Sequence, residues 1–204
     1  MNSVRFGDRP ISPSKIVCVG RNYVAHIEEL GNEVPGEMVV FCKPNSAIGS
    51  ELRAVHAGEP LHFEGEIALL YADGRFVAAG FGLDLTKREL QSSLKARGLP
   101  WERAKAFDGA ALFSDFKPIG NNSNELALEL NIDGRLCQAG DVSLMLYPPA
   151  QILQELDAFM TLEDGDIIMT GTPAGVGAVN AGARFEGRIM NGPELLTEHI
   201  WQAT

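Results

Sequence analysis

Two glutamates separated by one residue, Glu64 and Glu66, are the side chains whose types and spacing first suggest chemistry. They lie in the segment His62–Leu70, which the turn dipeptide Asp73-Gly74 follows, and this pattern predicts a strand. Side chains alternate along a strand, so both carboxylates point the same way. Among apolar residues they repel each other unless a positive charge lies between them, and a hard divalent cation with oxygen ligands meets that need. The alternative is an edge strand that presents two charges to water.

Other candidate groups lie where predicted strands and helices begin or end. Asp84 ends an apolar strand before a predicted helix, so it is either a third oxygen ligand or the helix N-cap. Two glutamates and an aspartate with waters suit octahedral Mg²⁺ or Mn²⁺. His26 and Glu29 are three residues apart on a predicted helix, where they form either a catalytic dyad or a surface pair. Lys105 is either part of the same site or a surface lysine.

The composition of the whole chain narrows the class of protein. The 204 residues suit one domain, and 45% of them are hydrophobic, enough for a substantial core. The net charge of −10, from 17 basic and 27 acidic residues, argues against a general binder of nucleic acid or anionic membranes. With no signal peptide and no apolar run near the ~20 residues of a spanning helix, the sequence predicts a cytoplasmic protein. Cys18 and Cys42 lie in apolar runs and are predicted to pack in the core, and no disulfide framework is implied.

The order of predicted elements indicates a strand-rich α+β fold with a β-roll or barrel-like core. Residues 1–14 form a short leader or edge strand, and residues 15–204 form a single domain. The predicted helices cover Arg21–Leu30, Lys87–Arg97, and a segment opened by Pro148-Pro149. The main predicted strands, besides the one that carries the glutamates, are Lys15–Gly20, Met38–Cys42, Arg75–Ala79, Glu125–Ile132, Arg135–Gln138, Asp166–Thr170, Ala183–Met190 and Leu195–Trp201. Three aspartates are predicted to be solvated turn residues: Asp141, Asp164 and Asp166.

Six short motifs, in this order, resemble the fumarylacetoacetate hydrolase family. They are Val19–Tyr23, Phe41–Pro44, Glu64–Glu66, Leu83–Thr86, Ala104–Asp108 and Gly165–Gly177. Each motif alone is weak, but the ordered set spans the chain from Lys15 to about Trp201. The short length and the stretch Arg21–His26 are most similar to the acylpyruvase and oxaloacetate decarboxylase branch.

The resemblance implies a mixed β-roll fold, a homodimer, and a catalytic domain over residues 15–204. It implies Mg²⁺ held by Glu64, Glu66 and Asp84, with Mn²⁺ or Ca²⁺ as alternatives, and a His26–Glu29 dyad on a lid helix. It also implies substrate-contacting residues, which are Arg21, Tyr23, Gln91, Lys105 and Thr172. The chain departs from the family pattern at Lys87, Glu89 and Ala106 and over residues 108–117, which leaves the substrate open.

This reading predicts a metal-dependent hydrolase that cleaves a C–C bond in 3-acylpyruvates, such as fumarylpyruvate or acetylpyruvate. His26, oriented by Glu29, would activate the attacking water, Lys105 would screen oxyanion charge, and the metal would stabilise the pyruvate enolate. The alternatives are an oxaloacetate decarboxylase and a 2-oxo-acid isomerase or tautomerase of aromatic catabolism. A non-catalytic metal-binding protein is the rival from another class. The residues do not identify the acyl group.

Overall fold

Strands dominate the regular structure of residues 1–29, 31, 34–120 and 123–204, which the computed structural model describes. The strands are β1 (Val4–Phe6), β2 (Arg9–Ile11), β3 (Lys15–Gly20), β4 (Val39–Pro44), β5 (Val55–His56), β6 (Glu59–Pro60), β7 (His62–Phe63), β8 (Gly65–Ala72), β9 (Arg75–Asp84), β10 (Ala111–Phe113), β11 (Lys117–Pro118), β12 (Leu126–Ile132), β13 (Arg135–Asp141), β14 (Ile167–Met169), β15 (Gly177–Ala178), β16 (Arg184–Asn191) and β17 (Glu194–Gln202). The α-helices are α1 (Val24–Glu29), α2 (Arg88–Ala96), α3 (Glu102–Lys105) and α4 (Pro149–Asp157).

Two larger sheets organise these strands. The first has the order β10-β9-β8-β14-β3-β4, with β11 also paired to β9, and the second has the order β13-β12-β16-β17. Hairpins build both sheets, and the turns Asp73-Gly74 and Asp133-Gly134 have positive φ at both residues, as tight hairpin turns require. The strand-rich α+β class and the curled, roll-like sheet predicted from the sequence are confirmed.

The core lies where the two sheets face each other. The Phe81 ring on β9 packs over Gly187 on β16, where a Cβ atom would lie only 2.4 Å from the ring. Phe63 meets Phe185 edge-on, with ring centroids 5.2 Å apart. Because both contacts join β7 and β9 to the second sheet, they fix the strand ends that carry the acidic residues.

Helix α1 begins at Val24, three residues later than predicted. Arg21 has φ 55, a left-handed conformation that cannot start a helix. The side chain of Asn22 bonds backbone groups instead, because it accepts from the N–H of Tyr147 and donates to the carbonyl of Thr170. The predicted end of this helix at Leu30 lies outside the described residues.

The N-terminal residues form the antiparallel pair β1–β2, which is a two-stranded sheet of its own. Cys18 is buried as predicted, but the prediction for Cys42 is wrong, because β4 is the last strand of its sheet and Cys42 is exposed. Among the described residues, no helix has the length and apolar character needed to cross a membrane.

The prediction that Asp166 is a solvated turn residue is also wrong, because its side chain is fully buried. Its carboxylate accepts from the backbone N–H groups of Ser14, Lys15 and Glu163 and pairs with the Lys15 ammonium. Burial alone would raise the pKa of Asp166, but these hydrogen bonds outweigh it and hold the pKa below its ordinary value. Asp166 therefore joins the start of β3 to the turn before β14.

Asp166→Asn should destabilise the protein by about 2 kcal/mol, because an amide cannot replace all the acceptor positions of the carboxylate. A carboxylate whose pKa is depressed in the folded state contributes stability above its unfolded pKa of about 3.9 and loses it as the pH falls. The difference between the two proteins in urea denaturation should therefore shrink below about pH 4. Asp164→Asn, in the same turn but exposed, is the control. An equal loss in both variants would contradict the assignment.

Candidate active site

The three predicted metal ligands meet at one end of the β8–β9 hairpin. Glu64 lies between β7 and β8, Glu66 lies in β8, and Asp84 is the last residue of β9. The backbone N–H of Asp84 donates to the carbonyl of Glu64 at 2.9 Å, which fixes their register. All three side chains are buried, and one carboxylate oxygen of each lies within 4.8 Å of the others. The edge-strand alternative for the glutamates does not hold, because β8 lies between β9 and β14 in its sheet. The helix-cap alternative for Asp84 does not hold either, because the residue that precedes α2 is Lys87.

Lys105, at the end of α3, points its ammonium into this cluster. It donates to Glu64 Oε2 and Asp84 Oδ2 at 2.8 Å each and to Thr86 Oγ1 at 2.7 Å. Burial alone would lower the pKa of Lys105, but Asp84 and Glu64 outweigh it and hold the pKa above its ordinary value. Lys105 is therefore a buried cation whose three N–H donors are all engaged, and the surface-lysine alternative is wrong.

Sequence reasoning missed a second lysine, Lys43 on β4, whose side chain is fully buried. Its Nζ lies 2.8 Å from Asp84 Oδ1 and donates to the backbone carbonyl of Lys105. A lysine at the end of an apolar strand is a weak signal in the sequence, because most lysines are exposed unless paired. Lys43 positions both the aspartate and the helix end that carries Lys105.

The electrostatic balance differs between the two glutamates. Arg88 pairs with Glu64 Oε1, and although burial alone would raise the pKa of Glu64, the charges of Lys105 and Arg88 hold it well below its ordinary value. Glu66 accepts a hydrogen bond from the N–H of Gly171 at 2.7 Å. Burial, followed by the charges of Asp84 and Glu64, raises the pKa of Glu66 well above its ordinary value. Glu66 is therefore the carboxylate that most lacks a positive neighbour.

This oxygen set fits a hard divalent cation. Asp84 Oδ1 is buried and accepts no aligned hydrogen bond from the described residues, although Lys43 lies near it. Glu66 adds a second under-compensated buried carboxylate, and Glu64 completes a set of three. Buried carboxylates at this spacing are stabilised when a cation lies between them.

The His26–Glu29 pair lies on α1, and His26 faces the same pocket. His26 Nδ1 is 3.3 Å from Glu29 Oε2, and His26 is buried among the residues that line the pocket. Glu29 also accepts from the backbone N–H of Gly175, at 3.0 and 3.2 Å from its two oxygens. The surface-pair alternative does not fit the buried imidazole, and Glu29 links α1 to the loop that follows β14.

Besides Lys105, four residues were predicted to contact the substrate, and the structure places them in two different regions. Arg21, Gln91 and Thr172 line the pocket with the acidic cluster. Tyr23 is not among the described lining residues. Its buried ring instead lies close to Gly140, and its hydroxyl has no hydrogen-bond partner among the described residues. The pKa of Tyr23 is raised above its ordinary value by burial and by nearby carboxylates.

Gln138, on β13, is a further buried residue that sequence reasoning missed. Its Oε1 accepts from the N–H of Gly65 at 2.9 Å, and its Nε2 donates to Thr172 Oγ1 at 2.8 Å and to the Pro173 carbonyl at 2.9 Å. The Thr172 hydroxyl donates in turn to the Gly65 carbonyl at 2.8 Å. Gln138 thus ties the strand break beside Glu64 to the loop that contributes Thr172.

The buried carboxylate triad lies at strand ends of the curled sheet, and two buried lysines and a histidine–glutamate pair lie around it, an arrangement that fits an enzyme site with a divalent metal. Residues 15–198 match the family described as fumarylacetoacetate (FAA) hydrolase C-terminal. The chain belongs to the fumarylacetoacetate hydrolase family, a family of enzymes, as its motifs predicted.

Three similar proteins illustrate the range of the family. A relative from Arabidopsis thaliana named oxaloacetate tautomerase FAHD1, mitochondrial, is 40% identical over 202 residues, which cover 89% of each chain. A relative from Dictyostelium discoideum named oxaloacetate decarboxylase, mitochondrial, is 36% identical over 185 residues, covering 82% of this chain and 85% of that protein. The crystal structure of fumarylpyruvate hydrolase from Pseudomonas aeruginosa in complex with Mn²⁺ and pyruvate superposes with a TM-score of 0.88 at 30% identity, covering 99% of this chain and 95% of that one.

Proposed function

We propose that this protein is a divalent-metal-dependent oxaloacetate tautomerase, which interconverts the keto and enol forms of a four-carbon 2-oxo dicarboxylate. The observation that carries the proposal is that one pocket is lined by His26, which contacts Glu29, and by a buried carboxylate triad that fits a cation. The name of the Arabidopsis relative supports the substrate. The hydrolase activity predicted first from the sequence has less support.

Tautomerisation moves one proton between C3 and the 2-oxygen of the substrate. A C–H bond breaks and an O–H bond forms, no water is added, and no C–C bond is cleaved. The reaction needs a base beside C3 and positive charge beside the 2-oxygen. His26 suits the first task, because its contact with Glu29 at Nδ1 leaves Nε2 to exchange a proton with the substrate.

The positive charge beside the 2-oxygen would come from a bound divalent cation and from Lys105. A divalent cation held by Glu64, Glu66 and Asp84 would act as a Lewis acid for the charge that develops on the 2-oxygen. Mg²⁺ is the ion predicted from the sequence, and Mn²⁺ is the ion bound in the fumarylpyruvate hydrolase. Lys105 adds a fixed positive potential, and its engaged donors make it an electrostatic group and not a proton donor in this arrangement.

Decarboxylation of oxaloacetate is the second candidate, favoured by the name of the Dictyostelium relative. Loss of CO₂ leaves a pyruvate enolate, whose charge falls on the same 2-oxygen, and it needs no attacking water. Hydrolysis of a 3-acylpyruvate shares this enolate but also needs a water placed beside the base. The homodimer and the cytoplasmic location stay predictions.

The test follows enol loss and pyruvate release from oxaloacetate in parallel, with Mg²⁺, with Mn²⁺ and with EDTA. We expect metal-dependent tautomerisation that outpaces pyruvate release and disappears in EDTA. His26→Ala should slow tautomerisation by about 10²–10⁴-fold, because it removes the base. His199→Ala, on β17 and outside the pocket, should leave the rate unchanged.

Other outcomes would redirect the assignment. Pyruvate release as fast as enol loss would favour the decarboxylase, and pyruvate release from acetylpyruvate alone would favour the hydrolase. Metal binding without turnover of any 2-oxo acid would support a non-catalytic metal-binding protein.

A further inference from the structure

One face of α2 runs from the floor of the pocket to its mouth. Arg88, Gln91 and Lys95 are spaced by three and four residues, so they share this face, and all three line the pocket. Arg88 pairs with Glu64 at the floor, whereas Lys95 lies about two turns further along the helix. Helical side chains lean toward the N-terminus, which directs the Lys95 ammonium back over Gln91 and the pocket.

Aromatic side chains border the pocket beside Lys95. Its Nζ lies 5.5 Å from the centroid of the Trp101 ring, and Trp101 lies 5.8 Å from the ring of Phe41. Both Lys95 and Trp101 are partly exposed, unlike the carboxylates and Lys105 below them. Lys95, Trp101 and Phe41 form the mouth of the pocket. The contact with the Trp101 ring keeps the Lys95 ammonium at this mouth.

Positive charge exceeds negative charge among the described residues that line the pocket. Four of them are lysine or arginine and three are carboxylates. At the floor, Lys105 and Arg88 are committed to Glu64 and Asp84. At the mouth, burial and the nearby charges of Arg21 and Arg88 lower the pKa of Lys95. A substrate carboxylate in contact with Lys95 would raise its pKa again.

This inference rests on the proposed function. A 2-oxo dicarboxylate whose reacting end faces the acidic floor carries its second carboxylate at the opposite end, toward the mouth. We propose that Lys95 is a specificity-determining residue, whose ammonium binds this second carboxylate and so selects 2-oxo dicarboxylates over 2-oxo acids that have an uncharged group there.

The kinetic test compares the native protein with Lys95→Met, which keeps the length and apolar stem but removes the charge. For oxaloacetate, KM should rise about tenfold, the effect of one partly exposed charge-assisted hydrogen bond. Acetylpyruvate has a methyl ketone in place of the second carboxylate. Where the protein turns it over, its KM should be the same in Lys95→Met and in the native protein. Lys95→Arg should restore most of the oxaloacetate KM. Arg97→Met, exposed at the end of the same helix and outside the pocket, is the matched control.

A binding test gives a readout that does not depend on turnover. Calorimetry with Mn²⁺ present would compare L-malate with L-lactate, which lacks the second carboxylate. The native protein should bind malate more tightly, and Lys95→Met should weaken malate about tenfold while leaving lactate unchanged. Equal effects on both acids, or no effect on malate, would overturn the role of Lys95. Failure of oxaloacetate turnover with the malate preference intact would instead overturn the proposed activity alone.

Discussion

Glu66→Gln should stabilise the metal-free protein while abolishing most of its activity. The glutamine can keep the hydrogen bond from Gly171 and removes a buried negative charge that lies beside Glu64 and Asp84. We expect a gain on the order of 1 kcal/mol at neutral pH. The same change removes a ligand oxygen with its charge, so metal affinity should fall by more than about a hundredfold and activity by about a thousandfold.

The pH dependence of this gain has a definite sign. The pKa of Glu66 is raised in the folded state, so ionising this carboxylate costs more free energy in the folded protein than in the unfolded chain. Below the pKa of an unfolded glutamate, about 4.3, the carboxyl is protonated in both states and folding bears no such cost. As the pH rises above that value, the native protein loses stability. The advantage of Glu66→Gln should therefore appear above about pH 4 and grow toward neutrality. Urea denaturation in EDTA measures stability, and titration with Mn²⁺ measures affinity. Glu194→Gln, which is exposed on β17, is the control. A destabilised Glu66→Gln protein would contradict the electrostatic account.

Lys43→Met should destabilise the fold by about 3 kcal/mol or more, because it leaves Asp84 Oδ1 buried without its cation. It also removes the donor to the backbone carbonyl of Lys105. Activity should fall as well, since both groups that Lys43 positions belong to the site. Denaturant unfolding at neutral pH measures the loss, with Lys117→Met on β11 as the control.

A double-mutant cycle separates the ion pair from packing effects. Asp84→Asn together with Lys43→Met should cost less than the sum of the two single changes, because the double variant leaves neither charge without the other. The coupling should exceed about 1 kcal/mol. Simple additivity would mean that Lys43 contributes through packing alone.

The acidic centre was predictable because its signals are local. Glu64 directly precedes β8 and Glu66 is its second residue, so their spacing places them together, and the hairpin that follows brings Asp84 back beside them. His26 and Glu29 are likewise neighbours through helical spacing alone. The strand-rich class also followed from local patterns and turn dipeptides.

The supporting residues were not predictable in this way, because their contacts join distant parts of the chain. Lys43 reaches the carbonyl of a residue 62 positions later, and Gln138 bonds Gly65 across 73 positions. Asp166 looks like a turn residue locally, yet its partners begin at Ser14. The exposure of Cys42 depends on the order of strands in the sheet, which the apolar run around it does not encode.

The three hydrogen bonds of Lys105 have a consequence for how the protein acquires a metal ion. The ammonium already pairs with Glu64 and Asp84 and partly neutralises their charge. An incoming cation must compete with this internal counter-ion for the same oxygens, which moderates its affinity. Metal binding at Glu64 and Asp84 would therefore be an exchange, in which the ion replaces the Lys105 ammonium as the partner of these carboxylates.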